Sequence, residues 1–383
     1  MAFEVPSGIS VRQSARCCPA LVCTIQHGVR KAVNMEEKLM YERFRMITGL
    51  LSGLAFVAAL AVPAVAQESF AGKTVKLVVA YSPGGSFDLY TRLIARHLGK
   101  HLPGNPSTLV QNMTGAAGMI AANYIFNTAK PDGLTIGAFA GPLVLQHVMG
   151  NDAARFDGRK FGWLGVPAPN HSVCSFNQKS GIKNMDDWFG SKREMFISAI
   201  GPGTSTSDIP KLMKAALGLP TKVVDGYRGG ARARVAVEAG EADGYCGSLH
   251  TVRSIWREAF EAGRVNMVVQ NTLNVHPDIK DIPRAIDYAK TADARKLLEV
   301  ADYAHRGQFP YSTPPNMPEA RLKLMQKAFI DALNDPALRA EAKKLRLAVD
   351  PIDGAETLGS VNKLYSLEPS LIATLKGIVL PKK

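Results

Sequence analysis

Apolar and polar positions alternate along the chain in two rhythms. Short apolar runs of strand length recur at 75–80, 107–112, 134–139, 172–176, 195–200, 222–227, 243–247 and 265–270. Stretches with helical spacing fall at 87–101, 116–129, 143–149, 184–190, 207–217, 230–239, 249–261, 282–299, 318–333, 336–345, 354–360 and 363–376. In the first of these, Tyr90, Leu93, Ile94, His97, Leu98 and His101 share one face. Strand–helix alternation predicts an α/β protein with mostly parallel sheets. The carboxyl third is helix-rich, and the prolines at 314, 315 and 318 introduce one of its helices. No repeat of solenoid period and no low-complexity linker interrupts the pattern.

One apolar run stands apart from this rhythm. Residues 48–66 follow Arg43 and Arg45, stay apolar, and end in Ala64-Val65-Ala66. That order of basic, apolar and small-x-small segments predicts a secretory leader, cleaved before Gln67. The competing membrane-anchor reading meets a short segment, Pro63 within it, and no basic stop-transfer cluster after it. Met35, Met40 and Met46 are all candidate starts, so 1–39 is expected to be untranslated or unfolded, with a genuine extension as the alternative.

Four strand-to-helix junctions carry glycine-rich loops. The first, after 75–80, includes Ser82, Pro83, Gly84, Gly85, Ser86 and Asp88. The second is Thr114, Gly115, Ala116, Ala117 and Gly118. The third runs through Gly201, Pro202, Gly203, Thr204, Ser205 and Thr206, and the fourth is Tyr227, Arg228, Gly229 and Gly230. Such a loop opening a helix points several N–H groups at one spot, where the helix dipole favours negative charge. In open α/β sheets these junctions surround the ligand. Each loop alone is also an ordinary tight turn. Asp88 reads equally as a first-turn acid that caps N–H groups and as a carboxylate facing a ligand donor. Ser86 reads as an N-cap or a ligand contact. Arg228 reads as an exposed arginine or the partner of a ligand carboxylate.

Three of these motifs in order resemble the substrate-binding proteins of tripartite tricarboxylate transporters, the Bug-type periplasmic receptors. They are Pro83-Gly84-Gly85 with Asp88, Gly115-Ala116 with Gly118, and Pro131-Asp132-Gly133. The resemblance runs from about residue 72 to the C-terminus and covers the loops at 201–207 and 227–230. It implies a two-lobed, Venus-flytrap, periplasmic-binding-protein-like α/β fold with the ligand between lobes. The implied division is 1–66 removed, domain I from 67–170 and 270–383, and domain II from 171–269. The implied ligand-binding set is Ser82, Gly84, Gly85, Ser86, Asp88, Gly115, Ala116, Ala117, Gly118, Gly141, Gly203, Thr204, Ser205, Thr206, Tyr227, Arg228, Gly229 and Ser248. Tyr245-Cys246 and the run 275–283 depart from the family's usual sequence, which points to a divergent subgroup.

The expected function is that of a periplasmic receptor. It would capture a small carboxylate (a di- or tricarboxylate, an amino acid or an aromatic acid) for the membrane permease subunits of such a transporter. The alternatives are a ligand sensor feeding a signalling system and a hydrolase on the same scaffold. A monomer without cofactor, metal or catalytic residue is expected. Removing 1–66 leaves 39 basic and 29 acidic residues, a net charge of +10, which suits an anionic ligand. The charge is scattered without basic runs, so nucleic acid is a poor partner. No Gly-x-Ser-x-Gly, His-Glu-x-x-His or Walker loop occurs. Cys174 and Cys246 remain after the leader, a pair that permits one disulfide or two buried thiols. His97 and His101 lie four apart with no third ligand, the pattern of a partly buried pair rather than a metal site.

Overall fold

The computed structural model describes residues 69–380 together with Met40. The chain divides into Met1–Gln67 and Glu68–Lys383, and the fold below belongs to the second unit. The leader and the candidate starts Met35 and Met46 lie outside the described residues. Among the described residues, no helix is long and apolar enough to cross a membrane.

The elements follow one another as β1 (Thr74–Val79), α1 (Ser86–Leu98), β2 (Ser107–Asn112), α2 (Met119–Asn127), β3 (Thr135–Ala138), α3 (Leu143–Val148) and β4 (Gly162–Val166). Then come β5 (Ser172–Asn177), α4 (Met185–Phe189), β6 (Met195–Ser198), α5 (Ser205–Leu217), β7 (Thr221–Val224), α6 (Gly230–Ala239) and β8 (Gly244–Ser248). Short helices α7 (Leu249–Ser254) and α8 (Arg257–Glu261) lead to β9 (Val265–Asn271). The chain ends with α9 (Ala292–Arg306), β10 (Tyr311–Thr313), α10 (Glu319–Asn334), α11 (Pro336–Lys344), β11 (Ile352–Asp353), α12 (Gly354–Tyr365) and α13 (Pro369–Val379).

The strands form two sheets, ordered β11-β4-β10-β3-β1-β2 and β7-β6-β8-β5-β9. Both sheets are mixed, which corrects the expectation of mostly parallel pairing. The reversed strands β10 and β5 sit inside their sheets, so each makes two antiparallel ladders. The reason is topological. A parallel neighbour needs a crossover through a helix on the same sheet, whereas β5 and β10 arrive from the other sheet and enter reversed.

One large core surrounds the first sheet, and two smaller ones cover opposite faces of the second. Side-chain alternation assigns the faces: on β5, Val173 joins one cluster while Cys174 and Phe176 join the other. Cys174 and Cys246 stand directly opposite on β5 and β8, with Cα atoms 4.0 Å apart, and are joined as a disulfide. Helix α9 serves two cores. Leu297, Val300, Ala301 and Ala304 pack into the first, and Leu298 packs into the second.

Other elements differ from the sequence reading. β4 escaped it because Gly-Trp-Leu-Gly-Val is wholly buried and shows no alternation. β10 and β11 are three and two residues long. The helix expected over 282–299 begins at 292, where the Thr291 side chain caps it, after a separate 3₁₀ turn at Ala285–Tyr288. The helix expected over 249–261 breaks in two at Ile255 and Trp256. His97 and His101 each meet a carboxylate of the carboxyl third, Glu341 at 2.9 Å and Asp335 at 3.0 Å.

Candidate functional site

The glycine-rich loops of the two sheets face one another. Ser82 N–H of the first loop donates to the carbonyl of Arg228 in the fourth at 3.3 Å. Ser86 Oγ lies 2.7 Å from Thr251 Oγ1 on α7. Glycine permits this approach: a Cβ on Gly229 would stand 2.5 Å from Ser82 Oγ, and one on Gly201 would stand 2.9 Å from Ala117 Cβ.

Two neighbouring spaces lie between the loops. The outer one is a cleft of about 700 Å³, walled by 114–119 on one side and 200–202 with 225–228 on the other. The inner one is a chamber of about 30 Å³, room for about one or two waters. Tyr81 and Ile200 line both.

Three helices of ten or more residues, α1, α5 and α6, start at the inner chamber with Ser86, Ser205 and Gly230 in its wall. Their first N–H groups have no intrahelical partners, and their dipoles add positive potential. Ser86, Thr204, Ser205, Thr206, Ser248 and Thr251 also line it, together with Tyr81, Phe87, Ile200, Tyr245, Gln308 and Phe309. None of the described residues lining this chamber is an acid, a lysine, an arginine or a histidine. In the outer cleft Arg228 is the one cation of the described lining and is exposed. The one acid there, Asp225, is paired with Lys211 at 2.8 Å.

The second loop is strained. Ala116 and Ala117 both have left-handed backbone angles, φ 45° and 54°, which cost about 1–2 kcal/mol each for a residue with a Cβ. Gly118, at φ 100°, could not carry a side chain, because its Cβ would meet Tyr81 Oη at 2.8 Å.

Asp88 is turned into its own loop. Its carboxylate accepts from Gly84 N–H at 3.0 Å, Arg92 Nε at 2.9 Å and Asn112 Nδ2 at 3.0 Å. Burial alone would raise its pKa, but the bonds from Arg92, the Gly84 amide and Asn112 outweigh burial and hold it below the usual range. Of its two sequence readings, the geometry matches the loop-capping one. Asp208 repeats the device in the third loop, accepting from Gly203 N–H at 3.0 and 3.1 Å. Gly203 thereby sits behind its loop against Leu143 and Gln146.

Among the expected site residues, Gly85, Ser86, Thr204, Ser205, Thr206 and Ser248 line the inner chamber. Gly115, Ala116, Ala117, Gly118, Tyr227 and Arg228 line the outer cleft. Ser82 and Gly229 meet between the lobes, and Gly84 serves Asp88. Gly141 is the correction. It lies in a separate small cavity beside Trp163 and Arg306, where a Cβ would collide with the Gly307 carbonyl at 2.2 Å.

The sequence reading missed Thr251, Tyr245 and Gln308. Thr251 lies in the first turn of the helix that Ser248 caps, a signal the sequence carries only once that helix start is recognised. Tyr245 stood out only as a departure from the family pattern. Gln308 lies in the short link between α9 and β10, where no periodicity points to it. It is 3% exposed, and its buried Oε1 has no hydrogen-bond partner.

Comparison with known proteins bears on the fold. No protein-family model matches the chain. A UPF0065 protein of Bordetella bronchiseptica is 30% identical over 174 residues, 42% of this chain and 50% of the relative. The aligned region therefore spans half of that relative's length. A UPF0065 protein of Bordetella pertussis is 26% identical over 301 residues, 75% of this chain and 85% of the relative. Among solved structures, MatC from Rhodopseudomonas palustris with bound malate superposes with a TM-score of 0.64 at 18% identity, covering 79% of this chain and 98% of that one. The periplasmic binding protein BugD gives 0.65 at 17% identity, covering 80% and 98%. The fold is that of the two-lobed periplasmic binding proteins.

Proposed function

We propose that this chain, a homologue of the UPF0065 (Bug-family) proteins, is a periplasmic receptor that captures a small carboxylate between its lobes for a tripartite tricarboxylate-type transporter. The observation that carries the reading is the convergence of three helix N-termini on a chamber with serines and threonines and no charged side chain in its described wall. Such a chamber holds an anion by amides and hydroxyls. A lining acid would repel the anion, and a lining lysine would require a fixed counter-charge position. The wider outer cleft takes the rest of the ligand, with Arg228 in reach of a second anionic group. The bound malate of MatC supports the same ligand class.

The lobes would be built on the first sheet, from 67–170 and most of 270–383, and on the second sheet, from 171–269 together with the end of β9 and the 3₁₀ turn at Ala285–Tyr288, whose Ala285 and Ile286 pack into its core. Contacts across the cleft, such as Ser86 to Thr251, form only when these parts meet. A ligand bridging both sides therefore shifts the population toward closure, and the closed form is what the permease subunits read. The reading requires binding and motion, with no bond made or broken.

A thermal-shift screen of residues 67–383 against aliphatic di- and tricarboxylates, amino acids and aromatic acids tests it. A ligand at a hundredfold its Kd adds about 2.7 kcal/mol. Stabilisation by one chemical class is expected. A folded protein that responds to no acid, and from which mass spectrometry of the denatured sample releases none, overturns the reading.

A further inference from the structure

Gln308 lies between α9 and β10 and lines the inner chamber. It is 3% exposed, and its buried Oε1 has no hydrogen-bond partner among the described residues. A buried amide oxygen without a donor forfeits the hydrogen bond it makes with water in the unfolded chain. The link nonetheless holds it firmly. The backbone carbonyl of Gln308 accepts from Gly141 N–H at 3.3 Å. The next ring, Phe309, packs 4.6 Å from Phe87 and 5.4 Å from Tyr90, and Pro310 follows with its φ fixed. Gln308 is thus presented to the chamber from the core of the first sheet, to which Phe309 belongs.

Several wall hydroxyls are engaged elsewhere. Tyr81 Oη donates to the Ala117 carbonyl at 3.1 Å, Thr204 Oγ1 donates to the Gly201 carbonyl at 2.6 Å, and Ser86 and Thr251 bond each other at 2.7 Å. A carboxylate has no hydrogen to give, so an anion alone leaves the Gln308 oxygen unmet. The chamber, about 30 Å³, takes only the polar end of a ligand. A donor that reaches Gln308 therefore sits on the carbon next to the carboxyl group. An ammonium there would find no acid in the described wall, and the starts of α1, α5 and α6 add positive potential that repels it. A hydroxyl is neutral. It can give its hydrogen to Gln308 while its oxygen accepts from an unpaired N–H of a helix start.

We propose that Gln308 is the specificity-determining residue of the inner chamber, its side-chain carbonyl accepting from the hydroxyl of a 2-hydroxy carboxylate. The proposal rests on the carboxylate-receptor reading above and narrows it to acids with a neutral donor beside the bound carboxyl group. A site that holds a polar group for a ligand hydroxyl rejects the analogue lacking it, because that group is then left buried and unpaired.

Isothermal titration of the purified protein with matched acids tests this. The sets are succinate, malate and aspartate; glutarate, 2-hydroxyglutarate and glutamate; phenylacetate, mandelate and phenylglycine; and tricarballylate with citrate. In the set that binds, the hydroxy acid is expected to bind at least about tenfold more tightly than its counterparts. In Gln308→Leu that advantage is expected to shrink to about threefold or less, with affinity for the unsubstituted acid kept or raised, because leucine leaves no unpaired oxygen. A merely structural role would weaken every member of the set alike. An unsubstituted or amino acid that binds the wild type as tightly as its hydroxy counterpart overturns the proposal and leaves the receptor reading standing, and that comparison needs no variant to fold. A full hydroxy-acid advantage in a folded Gln308→Leu protein overturns the role of Gln308. No binding in any set overturns the receptor reading, and this proposal with it.

Discussion

Ser86 Oγ and Thr251 Oγ1 share one hydrogen bond at 2.7 Å, and it joins the first turn of α1 to α7 across the mouth of the inner chamber. Both residues are buried, at 7% and 4% exposure. Replacing Thr251 by Val keeps the shape and leaves the Ser86 hydroxyl without its partner, a cost of about 1–2 kcal/mol to the closed form. Small-angle scattering should show a larger radius of gyration for Thr251→Val than for the wild type. An unchanged profile would mean that this contact does not hold the lobes together.

Gly229→Val should act on closure and leave the fold intact. The added Cβ meets Ser82 Oγ at 2.5 Å, a clash that exists only while the loops touch. Ligand affinity should fall at least about tenfold, with a melting temperature near that of the ligand-free wild type. A large loss of stability would show that the clash is felt within one lobe.

Asp88→Asn should destabilise the protein by about 2 kcal/mol, because the carboxylate holds Gly84, Arg92 and Asn112 at once. Its pKa lies below the ordinary value, so the folded form binds the proton more weakly than the unfolded chain. The contribution is complete above the ordinary aspartate range near pH 4 and is lost as pH falls through the folded value. Urea unfolding of wild type and variant between about pH 3 and 6 should show the difference shrinking toward the acid end.

His250 works at a higher pH. Burial, the largest cause, lowers its pKa to about 4, and nearby His171 is also lowered to about 4 by burial. The unfolded chain therefore binds more protons between pH 6.5 and 4, and stability must fall as pH drops through that window. For fully buried His250 the loss is about 3 kcal/mol. A His250→Gln protein should show a shallower decline in stability over the same window, and an equal slope would rule His250 out as its source.

Reducing the Cys174–Cys246 bond should cost about 4 kcal/mol, given the separation of 72 residues that it closes. The bond lies within the second sheet, so the loss should appear in unfolding and leave closure untouched. Denaturation of a Cys174→Ala/Cys246→Ala protein, compared with the oxidised wild type, measures it.

The parts of this fold that were legible in sequence share a physical cause. β1 and α1 carry an apolar run broken only by Lys76 and a clear 3.6-residue stripe, and their loop has a glycine at φ 83° in Gly84. The loops at 82–88, 201–207 and 227–230 could be read because strand, glycine and helix start are adjacent in the chain. Long-range facts could not be read this way. Nothing local tells β10 to enter its sheet reversed, sets Gly141 against Gly307, or brings His305 to Asp208 across 97 positions of sequence. Local rules also name Asp88 without saying which way it turns. Arg92 and Gly84 hold it locally, and Asn112 from a neighbouring strand completes the set.

Helix α9 gives Leu297, Val300, Ala301 and Ala304 to one core and Leu298 to the other. A body joined only by crossing strands swings like a door. One that also shares a packed helix must slide its interdigitated side chains past each other to open, so its travel comes in small increments and its widest gape is restrained. If the cleft takes the ligand proposed above, entry is a matter of a narrow slot widening, and the size of ligand admitted depends on the packing of one helix as well as on the loops.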